Sequence, residues 1–208
     1  MPNSAKENIL KKIRQALSEP TPVPFPALEG NDGMFHAPKD ELTILFAEQF
    51  THLQGKFHYC ETEQELWKQI NVLITQQAWK HVFVPESHWQ SHITAPNTQV
   101  GEATILNCDV AITSAEALIA RTGQLVVSSA SAGGRTASVY TPVHICVAYT
   151  HQIVYDIKDG LQLYKQPNYP SMVSFAAGPS RTADIEKTLV VGVHGPKQVY
   201  CFLVESNT

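Results

Sequence analysis

The sequence predicts an α/β fold: a mainly parallel sheet with flanking helices, preceded by an N-terminal helix and a proline-rich arm. Three observations carry this. Between residues 56 and 84 a strand-like run, a helix-like run and a second strand-like run follow one another, and parallel strands need crossovers of that length. The same alternation continues to Val204. Pro20, Pro22, Pro24, Pro26 and Pro38, with Gly30 and Gly33, set one helical pattern apart from everything after it. Residues 1–38 are therefore read as helix and arm, and 39–208 as the α/β domain.

Ser4 and Glu7 have capping-box spacing, and Ile9, Ile13 and Leu17, with Leu10, form one apolar stripe behind them. The proline zone excludes regular structure and reads either as an arm around the core or as a plain linker. A second helix begins near Asp40, with Leu42, Leu45, Phe46, Phe50 and Leu53 on its face and Gly55 as its stop. Lys56 to Cys60 is a strand. Thr62 and Glu65 cap a helix that lines up Leu66, Ile70, Leu73 and Ile74. His81 to Val84 is a buried strand closed by Pro85.

Val110 to Thr113 is the next strand. Ser114 is positioned to cap a short helix through Glu116 and Ile119, stopped by Gly123. Leu125 to Ser129 is a strand followed by a loop at Ala132-Gly133-Gly134-Arg135, and Val143 to Ala148 is a strand entered through Pro142. Ile153 to Leu163 reads as a short helix and Met172 to Ala177 as a strand. Ile185, Leu189 and Val193 at i, i+4 and i+8 predict a helix from Thr182 to about Gly192–Gly195. Val199 to Val204 closes the sheet.

Composition narrows the function. The 208 residues are 43% hydrophobic and 16% charged, with a net charge of −4 and no basic stripe, which argues against nucleic acid as a partner. No apolar run approaches the roughly 20 residues of a membrane span, and the polar N-terminus has no secretory h-region. Cys60, Cys108, Cys146 and Cys201 are scattered, without the close spacing of iron–sulfur or zinc ligands. A reduced, cytoplasmic setting follows, with no cofactor held by this chain. His88 and His92 would share a helix face near His81, but Pro85 is close and no carboxylate is spaced to join them, so no metal site is expected. Neither a Gly-x-Ser-x-Gly elbow nor a Walker loop is present.

Ligands of open α/β sheets gather where strands lead into helices. Three loops there carry chemistry. Thr113-Ser114-Ala115-Glu116 supplies a carboxylate. Ser128 to Ser138 supplies Gly133, Gly134 and Arg135, which form either an anion-binding nest or a surface turn. Gly178-Pro179-Ser180-Arg181-Thr182 is the richest. Gly178 allows close backbone approach, Ser180 or Thr182 can cap the expected helix, and Arg181 offers a two-pronged grip on a carboxylate or phosphate. Arg181 can equally pair with Asp184 or Glu186 on the surface. Glu116, Asp184, Glu186 and His194 are the candidate acid–base groups. His144 is a further proton-shuttle candidate or a hydrogen-bonded scaffold residue.

The segment 178–197 packs Thr-Ala-Asp-Ile-Glu and Gly-Val-His-Gly-Pro between glycines and prolines. With Ala115 to Gly123, Ser128-Ser129, Gly134-Arg135, Ser138 and Pro142 to Ile145, it resembles the LutC/YkgG family of lactate-utilisation proteins, the LUD domain, over roughly residues 108–204. The resemblance implies a fold like the NagB/ribose-5-phosphate isomerase (RpiA)/CoA-transferase group. It also implies one subunit of a three-part system that oxidises L-lactate to pyruvate, binds a small anionic ligand and works with iron–sulfur partner proteins, which would carry the electrons. Arg121 departs from the acid that many relatives have before the Thr-Gly pair. The alternatives are a stand-alone enzyme acting on a phosphorylated sugar, a CoA thioester or a folate-like ligand, and a non-catalytic scaffold subunit.

Overall fold

A computed structural model describes residues 5–18, 41–101, 104–164, 169–185, 188–192 and 194–206. Residues 1–37 and 38–208 form two units. In the first, α1 (Ala5–Ser18) leaves Ile9, Leu10 and Ile13 exposed along one stripe. The expected Ser4 cap and the proline arm lie outside the described residues, as does Glu186.

The second unit is built on six parallel strands: β1 (Lys56–Cys60), β2 (His81–Phe83), β3 (Gln99–Val100), β4 (Val110–Ser114), β7 (Val143–Tyr149) and β12 (Gln198–Val204), in the order β1-β12-β7-β4-β2-β3. Alternation along β12 explains the layers. Tyr200, Phe202 and Val204 face α3 (Glu63–Gln77), where they meet Leu66, Ile70 and Ile74. Val199, Cys201 and Leu203 face the other way, onto Phe46 and Phe50 of α2 (Leu42–His52). Both faces are covered, as parallel sheets require.

The second covering layer is shared by α2 and a four-stranded sheet of β8 (Ile153–Val154), β5 (Ala117–Ile119), β6 (Gln124–Ser128) and β9 (Val173–Ala176). The segment expected to be a helix after Ser114 is therefore strand β5, paired antiparallel with β6 and ending in a 3-10 turn at 120–122. Its alternation is hidden because both faces are apolar. Leu118 and Ala120 pack with α2, while Ala117 and Ile119 pack with Val126, Val173 and Phe175. The expected helix over 153–163 is likewise β8 followed by α6 (Ile157–Leu161), which opens on Asp156. Arg121 grips that same Asp156 through two N–H groups, each 3.0 Å from a carboxylate oxygen. This pair answers the charge question that Arg121 raises: the guanidinium holds the Asp156 carboxyl below its usual range and steadies the start of α6.

The capping at Thr62 is as expected at one end: its hydroxyl accepts the Glu65 N–H. Glu65 reaches one residue further back, to the Glu61 N–H. Both long helices of this unit end on a left-handed residue that is not glycine, Gln54 (φ 68°) after α2 and Ala78 (φ 53°) after α3. Gly55 is not the left-handed stop. It is required because a Cβ there would sit 2.4 Å from the Phe50 ring. Replacing Ala78 with glycine is expected to stabilise the protein by about 0.5–1 kcal/mol, the left-handed cost less glycine's extra chain entropy. A urea midpoint that stays the same or falls would contradict this.

Candidate functional site

Glu116 lies between β4 and β5, half-buried, with its N–H donating to the Val126 carbonyl at 2.8 Å. Its carboxylate accepts two hydroxyl protons. Ser128 Oγ donates to Oε1 at 2.6 Å, and the Tyr164 phenol donates to Oε2. Ser128 is fully buried, and its oxygen already accepts the Ala130 N–H at 3.0 Å, so its one proton is committed to Glu116. Burial, then the Glu116 contact, push the Tyr164 hydroxyl well above the usual tyrosine range. The result is a carboxylate held as an acceptor by two fixed hydroxyls, able to take a proton from a ligand if one hydroxyl swings away.

The structure also reveals a carboxylate that sequence reasoning missed. Glu86 follows β2 and Pro85 and is only 8% exposed. Its Oε1 accepts both the backbone N–H and the hydroxyl of Ser114, each at 2.9 Å. Its Oε2 is buried with no hydrogen-bond partner among the described residues. The available signal was its position, directly after a buried parallel strand. Gly133 closes over this region. A Cβ there would lie 2.6 Å from Thr113 Cγ2 and 3.2 Å from Pro85 Cγ, so packing demands the glycine. Below it, Thr113 Oγ1 and His144 Nε2 are 2.8 Å apart and buried, and burial lowers the His144 pKa to about 4. His144 is thus a neutral scaffold residue near pH 7 and not a proton shuttle.

The loop expected over 128–138 folds into α5 (Gly134–Tyr140), with Gly134 and Arg135 as its first turn. The expected helix after Gly178 is overturned. Residues there form an antiparallel hairpin, β10 (Arg181–Ile185) with β11 (Thr188–Val191), in which Arg181 pairs with Val191 and Thr182 with Val190. Ser180 and Thr182 therefore cap no helix, and the helix-terminus anion site imagined under Arg181 is absent. Arg181 is exposed at the start of β10, and Asp184 lies further along that strand. The side chains of Arg135, Thr182 and Asp184 lie outside what the structure describes. Gly178 has φ +81° and comes so close to α2's end that a Cβ would lie 2.5 Å from the Leu53 carbonyl oxygen. Ser180 is tied to the turn after the hairpin: its N–H donates to the Pro196 carbonyl, and its carbonyl accepts the Gly192 N–H, both at 2.9 Å.

That turn borders a cavity of about 480 Å³, lined among others by Tyr140, Pro142, Gly192, His194, Gly195 and Lys197. The candidates thus fall in two places. Glu116, Gly133 and the start of α5 lie near the carboxyl ends of β2 and β4, whereas His194 and Ser180 lie by the amino ends of β7 and β12. A groove of about 590 Å³ along α3, walled by Trp67, Val72 and Ala95 and bordered by Lys68 and His92, holds none of the candidate site residues. Among the described residues no group of three or more His, Cys, Asp or Glu side chains could hold a metal. Nor is any described helix long and apolar enough to cross a membrane.

These features define a parallel α/β domain with a carboxylate–hydroxyl cluster at the carboxyl edge of its sheet. The family model for the LUD domain matches residues 79–204, and the chain belongs to the LUD domain family. Lactate utilization protein C of Shouchella clausii is 29% identical over 187 residues, 81% of this chain and 80% of that protein. The protein of the same name from Bacillus velezensis is 29% identical over 140 residues, 65% of this chain and 56% of its own length. An uncharacterised protein of Neisseria meningitidis is 36% identical over 95 residues, 45% of this chain and 41% of that protein. The last two matches thus span about half of those relatives. The fold is shared with a DUF162 family protein from Deinococcus radiodurans, at a TM-score of 0.59 and 18% identity, over 81% of this chain and 99% of that one.

Proposed function

We propose that this chain is a subunit of an L-lactate-oxidising system, acting with iron–sulfur partner proteins and binding a small anionic ligand. The observation that carries the reading is the match to relatives named lactate utilization protein C, one of them along 80% of its length, on a chain whose LUD segment spans 79–204. Cys60, Cys108, Cys146 and Cys201 are each buried as free thiols, so the clusters are assigned to the partners. Glu116, oriented by Ser128 and Tyr164, and His194 are its candidate proton-handling groups, with Asp184 on β10 and Glu186 as further ones. Gly133–Arg135, at the start of α5, and Gly178–Thr182, leading into β10, are the candidate ligand-binding segments.

Deleting the gene is expected to abolish growth on L-lactate as sole carbon source, and the tagged chain is expected to co-purify with cysteine-rich iron–sulfur proteins from lactate-grown cells. Normal growth together with no such co-purification would end this reading. Thermal stabilisation by a sugar phosphate or CoA, but not by lactate or pyruvate, would favour a stand-alone enzyme instead.

A further inference from the structure

We infer that the 480 Å³ cavity between the end of α5 and the turn at 192–197 is a binding site for a small oxyanion, with Lys197 as its cation, His194 as a ring N–H donor and Tyr140 as a hydroxyl donor. Its volume falls within the about 300–1,000 Å³ of small-molecule sites. None of the described lining residues is acidic, so the charge they present has one sign. Val139 and Pro142 supply an apolar wall against which a short carbon chain can rest.

The turn that carries Lys197 and His194 is fixed by its backbone. Lys197 donates its N–H to the Pro142 carbonyl at 2.8 Å, which anchors it to the entry of β7. Its stem lies across Gly192, where a Cβ would come within 2.3 Å of Lys197 Cγ. Gly192 also has φ +79°, so a side chain there would be strained as well as blocked. Gly195 is held against Ser180, whose Cβ a side chain would meet at 2.8 Å. The Gly-x-His-Gly-Pro-Lys motif is thereby explained as a device. Its glycines let the turn fold tightly on Ser180 and Lys197, and its His and Lys are left exposed at the cavity mouth. A positive, preorganised, partly apolar cavity suits a short carboxylate, and a phosphate group shares that chemistry. The choice of a 2-hydroxy- or 2-oxo-carboxylate rests on the lactate reading above.

The test is calorimetric titration of the full chain with L-lactate, pyruvate and inorganic phosphate. Binding of a carboxylate is expected, weakened about tenfold or more by Lys197→Gln, weakened by His194→Asn, and largely kept by Lys197→Arg. Because both side chains are exposed, thermal melts of these variants should match the parent. Phosphate binding with the same Lys197 dependence, and no carboxylate binding, would support the oxyanion site and overturn its assignment to a carboxylate. No binding of any of the three anions would overturn the site. Loss on Arg181→Gln with Lys197→Gln unaffected would also overturn it. The two proposals fail separately. Lactate growth lost on gene deletion with no anion bound removes only the cavity assignment, and Lys197-dependent binding with growth intact removes only the lactate role.

Discussion

Gly123→Ala is expected to lower stability by about 2–5 kcal/mol, a large share of the roughly 5–15 kcal/mol that holds a typical domain together. Two costs combine. Gly123 has φ +60°, where a side chain costs about 1–2 kcal/mol. The added Cβ would also lie 2.5 Å from the Phe50 backbone N and 2.6 Å from the Gln49 backbone carbon. Those atoms belong to the interior of α2 and have no flexible end to swing aside, so the helix itself must move, at about 1–3 kcal/mol. Gly101→Ala separates the two costs. Its φ is +89°, but its Cβ would meet only the Gln90 Oε1 at 3.6 Å. It should lose only about 1–2 kcal/mol. Urea denaturation of both variants measures the difference. Equal losses would show that the contact with α2 has no energetic weight.

The second large effect depends on pH. Burial holds His144 at a pKa of about 4, against about 6.5 in an unfolded chain. Between those values the unfolded chain binds the proton and the folded one does not. Stability from this residue is therefore full above pH 6.5 and is lost as pH falls toward 4, by about 3 kcal/mol at the limit. Below pH 4 both states carry the proton and the loss stops growing. His144→Gln cannot titrate but can still reach Thr113. Its urea midpoint is expected to fall less than the parent's between pH 7 and pH 4. Parallel curves for the two proteins would exclude His144 as a source of acid sensitivity.

The sequence was most readable where one face of an element is apolar and the other is not. The α3 stripe and its Thr62 cap were visible for that reason, whereas β4, β7 and β12, buried on both faces, were visible as short continuous apolar runs. The hairpin at 181–191 was misread because i, i+4 and i+8 are all even steps, so Ile185, Leu189 and Val193 satisfy a strand as well as a helix. The decisive helical positions are i+3 and i+7. These are Thr188 and Gly192, neither of which extends an apolar stripe. β5 was hidden differently: both of its faces are buried, which erases the alternation. In the candidate site, Glu116 was legible from its place after a strand. Its partners Ser128 and Tyr164, 12 and 48 residues away, are joined to it only by the second sheet and the turn after α6. Glu86 drew no notice because a single glutamate after a proline looks like an ordinary surface residue.

The sheet's sulfur atoms offer a way to watch this protein open. Cys146 and Cys201 are register partners on β7 and β12 and fully enclosed, and burial drives both thiols far above their usual range. Cys60 and Cys108, also buried, are pushed up to about 11. Alkylating reagents attack the ionised form in water, so none of the four is open to them in the closed molecule. Each acquires a label only when its own strand or neighbouring turn comes apart. Because the four mark an edge, a connecting turn and the centre, the order in which mass tags accumulate maps which part of the domain yields first.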